Sequence, residues 1–251
     1  MIKLLSLIFL ILLLIVGKSR GFKTFVTFYL NLFLIMIYLT FMKVGTPAII
    51  LSIIICILAS LITLFILNGT NVKTKSSFIS IMIVLVFMLI ITILSVKFSN
   101  IQGFAMEDIE SIGYYSHDIN YDMTYVIIGM YLICTIGTII DTSISVSSAM
   151  YEVYKNNPKL NSSELYKSGM NVGKDILSTT INTLYFAIIS SFIGFFMWFY
   201  SVSFPFLSVS KTLVKNSIEL LLAFIASIMI IPITSYITSK KLIKDKEWKI
   251  Y

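Results

Sequence analysis

Residues 124–150 read TYVIIGMYLICTIGTIIDTSISVSSAM. Apart from Asp141, the stretch holds only apolar and small polar residues. It exceeds the ~20 residues a helix needs to cross the hydrocarbon core. It reads as a transmembrane helix with an acid inside it. A charged group at that depth costs roughly 2.5–3.5 kcal/mol on insertion scales. Such acids usually face a protein interior or a water-filled cavity, where they tend to be functional.

Working outward, six more segments pass the same test. The expected spans are 2–17, 25–41, 47–68, 78–96, 124–150, 175–201 and 213–239, the first two being short. The composition agrees: of 251 residues, 58% are hydrophobic and 12% charged, and the mean hydropathy is +0.96. Soluble domains of this size do not have such a composition. The expected fold class is all-α: one polytopic transmembrane bundle of about seven spans, with an outer loop at 97–123 and a cytoplasmic loop at 151–174.

Basic residues set the orientation. One series of loops holds Lys18, Arg20 and Lys23, then Lys73 and Lys75, then Lys155, Lys159, Lys167 and Lys174, and last Lys240, Lys241, Lys244, Lys246 and Lys249. The opposite series holds Lys3, Lys43, Lys97, Lys211 and Lys215, together with Glu107, Asp108, Glu110, Asp118 and Asp122. The N-terminus is therefore expected outside and the C-terminus in the cytoplasm. The net charge of +7 then reflects loops lying near anionic lipid, and no nucleic-acid partner is expected. Residues 2–17 resemble a signal peptide. However, Lys18-Ser-Arg20 follows where a small-residue cleavage site would stand, so a retained helix is expected.

Cys56 and Cys134 both fall within spans, which argues against a disulfide framework. His117 is the one histidine. No metal site and no cofactor is expected from so few ligands. In the outer loop, residues 104–112 suit a short amphipathic surface helix. In the inner loop, Asn161-Ser-Ser-Glu164 resembles a capping box, which predicts a short helix over 162–168, broken near Gly169.

Asp141 shares one helical face with Ser145, Ser148 and Glu152, and with Gly137 and Thr138 before it. Ser143 and Ser147 widen the polar sector. In the next span, Asp175, Thr179 and Asn182 line one face, with Thr180 and Thr183 beside it. Asp175 suits a helix N-terminus. Asn182 or Thr183 is expected to hydrogen-bond Asp141. Near the outer end of the last span, Lys215 and Glu219 stand four apart and are expected to pair. Pro232 is expected to kink that span. Asp141 is the candidate proton-responsive residue, with Ser145, Ser148, Thr179, Asn182, Thr183 and Glu219 as polar partners.

The stretches GTIIDTSISVSSAM (137–150), KSGMNVGKD (167–175) and TINTL (180–184) resemble the YibE/F family of bacterial membrane proteins. GKSRGFK (17–23), NGTNVK (68–73) and IPIT (231–234) match as well. Thr138 and Thr142 depart from that pattern, where smaller or apolar residues are expected. The resemblance implies the shorter member of a family that also has a longer member with an extracytoplasmic domain. It carries no settled biochemical activity. A more distant, fold-level likeness is to half of a resistance-nodulation-division bundle, including the SecD/SecF pair.

Two function classes follow for a multi-pass protein of the bacterial cell membrane. One is a subunit of a transport or export complex, proton-coupled through Asp141. The other is a structural or assembly subunit that transports nothing. The expected partner is a longer YibE-like subunit or a second copy, besides membrane lipid. An enzyme is not expected. Only Asp141 is clearly mid-membrane where an intramembrane aspartyl protease needs two acids, and no His-Glu-x-x-His helix is present.

Overall fold

The computed structural model describes residues 1–99, 122–199 and 211–249. Every described element is a helix. In chain order these are α1 (Ile2–Lys43), α2 (Ala48–Leu61, continued by a π-helical turn at Ile62–Ile66), α3 (Val72–Ser99), α4 (Met123–Asn156), α5 (Ser162–Phe199) and α6 (Lys211–Lys249). Among the described residues, five helices are long and apolar enough to cross a membrane: Leu4–Lys43, Ala48–Ile66, Val72–Ser99, Met123–Asn156 and Val214–Lys244. Leu4–Lys43 covers the expected spans at 2–17 and 25–41 together, and the other four match 47–68, 78–96, 124–150 and 213–239. Residues 175–199 of the expected span 175–201 lie in α5, which is not in that set, and 200–201 lie outside the described residues.

α1 is broken at Lys18, whose φ of 48° falls on the left-handed side, where a β-carbon crowds the backbone. The chain doubles back there. Phe9 stacks on Phe25 and Phe28, with ring centroids at 6.3 and 5.9 Å, and Ser6 bonds Tyr29. Gly21 permits the reversal, because a β-carbon on it would stand 1.8 Å from the Leu13 carbonyl oxygen. At ~1.5 Å per residue the first arm is about 24 Å long, short of a ~30 Å hydrocarbon core. The second arm leans on α2, and Asn31 donates to Thr63 in the π turn at 3.0 Å.

α3, α4 and α6 form the centre, with α2 against α4, and α5 against α6 and α4. Val84 and Met88 of α3, Ile139 and Val146 of α4, and Ala226 and Ile230 of α6 fill it at 0–1% exposure. α4 and α6 run the same way: the Tyr131 hydroxyl donates to the Lys215 carbonyl at 3.0 Å, and Ser143 meets Thr234 further along both helices.

The segment 151–174 differs from its expectation. α4 continues to Asn156 and α5 starts at Ser162, so only a turn at 157–161 separates them. The Asn161 amide donates to the Glu164 carboxylate at 2.9 Å, as a capping box requires. α5 is not broken at Gly169. Gly169 and Gly173 are instead contact points: a β-carbon on them would stand 2.8 Å from Ser235 Oγ and 2.3 Å from Ile231 Cγ2. Four-residue spacing on both helices makes this a small-residue seam. α6 passes through Pro232 as one helix.

Candidate functional site: the Asp141 face

Asp141 stands near the middle of α4. At 100° per residue, α4 presents two separate polar faces. One carries Cys134, Gly137, Asp141, Ser145 and Glu152, all exposed, with Thr138 and Ser148 half-buried. The other carries Ser143 and Ser147, both fully buried. The single broad sector expected from the sequence is therefore two.

α5 is packed over its first half. Leu165, Gly169 and Gly173 are buried, and Ile176 and Leu177 touch the core. From 178 to 190 no residue is buried. Thr179, Asn182 and Thr183 are exposed there, as are Tyr185 and Phe186. The expected bond from Asp141 to Asn182 or Thr183 is not formed among the described residues. Thr183 donates to the Thr179 carbonyl at 2.9 Å, and Thr179 to the Ile176 carbonyl at 2.8 Å. Both hydroxyls are satisfied by their own helix, a common fate of threonine in membrane helices. Asp175 is not a cap, because α5 begins thirteen residues earlier, at Ser162.

Glu219 also departs from expectation. Among the described residues it makes no ion pair with Lys215. It lies instead beside Cys134 and Tyr131 of α4. Cys134 is two helical turns before Asp141 on the same exposed face, so a second acid flanks that face about 10 Å away along the axis. The face thus meets acids at three depths, from Glu219 through Asp141 to Glu152. The surface helix expected at 104–112, His117 and the acids Glu107, Asp108, Glu110 and Asp118 lie outside the described residues.

Residues 5–244 match the YibE/F-like protein family, nearly the whole chain. The chain belongs to that family. No curated protein and no solved structure matches it. With its apolar helices, this YibE/F-like chain is an integral membrane protein.

The sequence of this YibE/F-like protein placed Ser143 and Ser147 in the Asp141 sector and did not point to their partners Ser77 and Thr234. Ser77 of α3 and Ser147 of α4 share a hydrogen bond of 2.7 Å, and Ser143 shares one of 3.1 Å with Thr234 of α6. The Ser77 hydroxyl also reaches the Ser143 carbonyl at 3.2 Å. The available signal was the repeated placing of Ser and Thr at one depth in three spans: 74–80, 142–147 and 234–239.

Proposed function

We propose that this protein is one subunit of a proton-coupled membrane transport or export complex, in which a partner subunit covers the Asp141 face. The observation that carries the reading is Asp141 itself: exposed in the single chain, near the middle of a helix fit to span a bilayer. An acid at that depth is not stable against lipid, so a partner or an aqueous path has to meet it. Residues 178–190 of α5, with Thr179, Asn182 and Thr183, offer further exposed polar surface. A longer family member is the partner the resemblance implies, and a second copy is the other choice. The bacterial cell membrane is the location this reading requires. The chemistry assigned is proton binding and release, not enzymatic turnover.

Asn keeps the shape and much of the hydrogen bonding of a neutral carboxyl but does not titrate. Asp141→Asn is therefore expected to keep expression and partner binding while removing pH-dependent activity of the complex. Asp141→Leu is expected to harm both, because it leaves the partner's polar groups unsatisfied. Wild-type activity and pH dependence in the Asn variant would sink proton coupling. The assembly-subunit reading draws on Thr179 and Thr183, which are already satisfied by their own helix. It predicts that the Leu variant loses the complex and that the Asn variant is silent.

A further inference from the structure

Ser77, Ser143, Ser147, Thr234 and Thr238 come from three helices, and each is 0% exposed. Four of them are joined by the hydrogen bonds described above. Thr238 is not: its Oγ1 is buried and has no partner among the described residues. Its position is fixed by register. α4 and α6 run in parallel, and Ser143 meets Thr234. Ser147 and Thr238 each lie four residues further on, so they share the next level and the same facing side. From the other direction, the Lys241 ammonium donates to the Lys75 carbonyl at 3.3 Å. That brackets Ser77 between Thr234 and Lys241 along α6, again at the level of Thr238.

Proton counting sharpens the point. A serine hydroxyl has one proton and two lone pairs. Ser77 and Ser147 also reach the carbonyls of Ser143 and Ile144. Two protons are therefore shared among three bonds, and acceptor capacity is left on both oxygens. By that register the Thr238 hydroxyl, which has no partner among the described residues, belongs at the level of those oxygens. A group that both donates and accepts, with no charge, satisfies all three.

We propose that Ser77, Ser147 and Thr238 hold an ordered water at the junction of α3, α4 and α6. A water suits the site better than a cation because the lining is neutral and the charged side chains that adjoin it in sequence on α3 and α6, Lys75, Lys240 and Lys241, are themselves cationic. Buried waters characteristically make two to four bonds to buried polar groups, and of these three Thr238 Oγ1 is the one left without a partner. The bound water makes the row Thr234, Ser143, Ser77, Ser147 and Thr238 continuous. This site is separate from the Asp141 face and does not depend on its function.

The test is the sign of a stability change. Thr238→Val keeps the shape and removes the hydroxyl. In a dry site this relieves an unsatisfied group and leaves the protein equally or more stable. In a hydrated site it removes a bond to the water. Expected for the full chain in lipid nanodiscs is a thermal midpoint lower by roughly 2–4 °C, with Thr238→Ser retaining more of the wild-type value. An unchanged or raised midpoint in the Val variant would overturn the proposal. Should that variant fail to fold, water-edited solid-state NMR of the wild-type protein in bilayers decides. Magnetisation transfer from water to the Thr238 side chain is expected, and no transfer overturns the site. Stabilisation by Na⁺ over K⁺ and choline, lost on Thr238→Val, would assign a cation and equally overturn the water.

Discussion

Asp141 and Ser143 are two positions apart, yet roughly 200° of helix separates them, and their fates are opposite. Asp141 is exposed, and Ser143 is sealed between α3 and α6. The depth of Asp141 was legible in the sequence, because hydropathy reads position along a helix axis. Its neighbour was not, because periodicity defines a face without saying what covers it. The same gap hid Ser77, whose partners are 66 and 70 residues away in sequence. Ser77→Ala and Ser147→Ala should each lower the unfolding midpoint. Their double variant should fall short of the sum by a coupling of about 0.6 kcal/mol, the average for interhelical side-chain hydrogen bonds in a membrane bundle, and by no more than about 1.7 kcal/mol. Ser145→Ala, on the exposed face, should stay within about 0.5 kcal/mol of wild type. A Ser77–Ser147 cycle that adds perfectly would show that the 2.7 Å bond contributes nothing to stability.

Among the elements, α5 shows why glycine is hard to read. Gly169 has two meanings in a sequence: a place where a helix stops, and a place where a neighbour comes close. Next to Pro158 and a capping box, the first meaning was natural. The structure selects the second, and only the sequence of α6, sixty residues on, explains it. Ile231 and Ser235 repeat the four-residue spacing of Gly173 and Gly169 in the opposite direction. Helix content and the start of α5 were legible from local signals. The continuity of α5 was not, because it depends on packing. Gly173→Ala places a methyl 2.3 Å from Ile231 Cγ2, an atom on a β-branched side chain with little freedom to move. The expected loss is about 1–3 kcal/mol from overpacking. Ile231→Ala opens the same spot, so the double variant should recover part of the Gly173→Ala loss when unfolding is followed in lipid. No recovery would mean that α5 and α6 do not meet along this seam.

At the scale of the whole molecule, lysines from different helices gather at one end of the bundle. Lys73 of α3 lies over the Tyr151 ring of α4, with its ammonium 5.8 Å from the centroid, and Lys241 of α6 reaches the backbone at Lys75. The α4–α5 turn, with Lys155 before it and Lys159 within it, is at this end. Basic residues resist transfer across the membrane, so the end that carries them is expected in the cytoplasm. Ser163 is exposed just after that turn, whereas Ser116 belongs to the acidic segment between α3 and α4. The native cysteines bear on the test, because Cys56 is buried and Cys134 exposed. Both are best replaced by alanine before single cysteines are introduced. In intact cells, a membrane-impermeant maleimide is then expected to label Ser116→Cys and to spare Ser163→Cys until the membrane is opened. Labelling of Ser163→Cys from outside would invert the bundle. It would also send Glu152, and not Glu219, to the outer end of the Asp141 face, so the direction from which a proton reaches Asp141 follows from the same experiment.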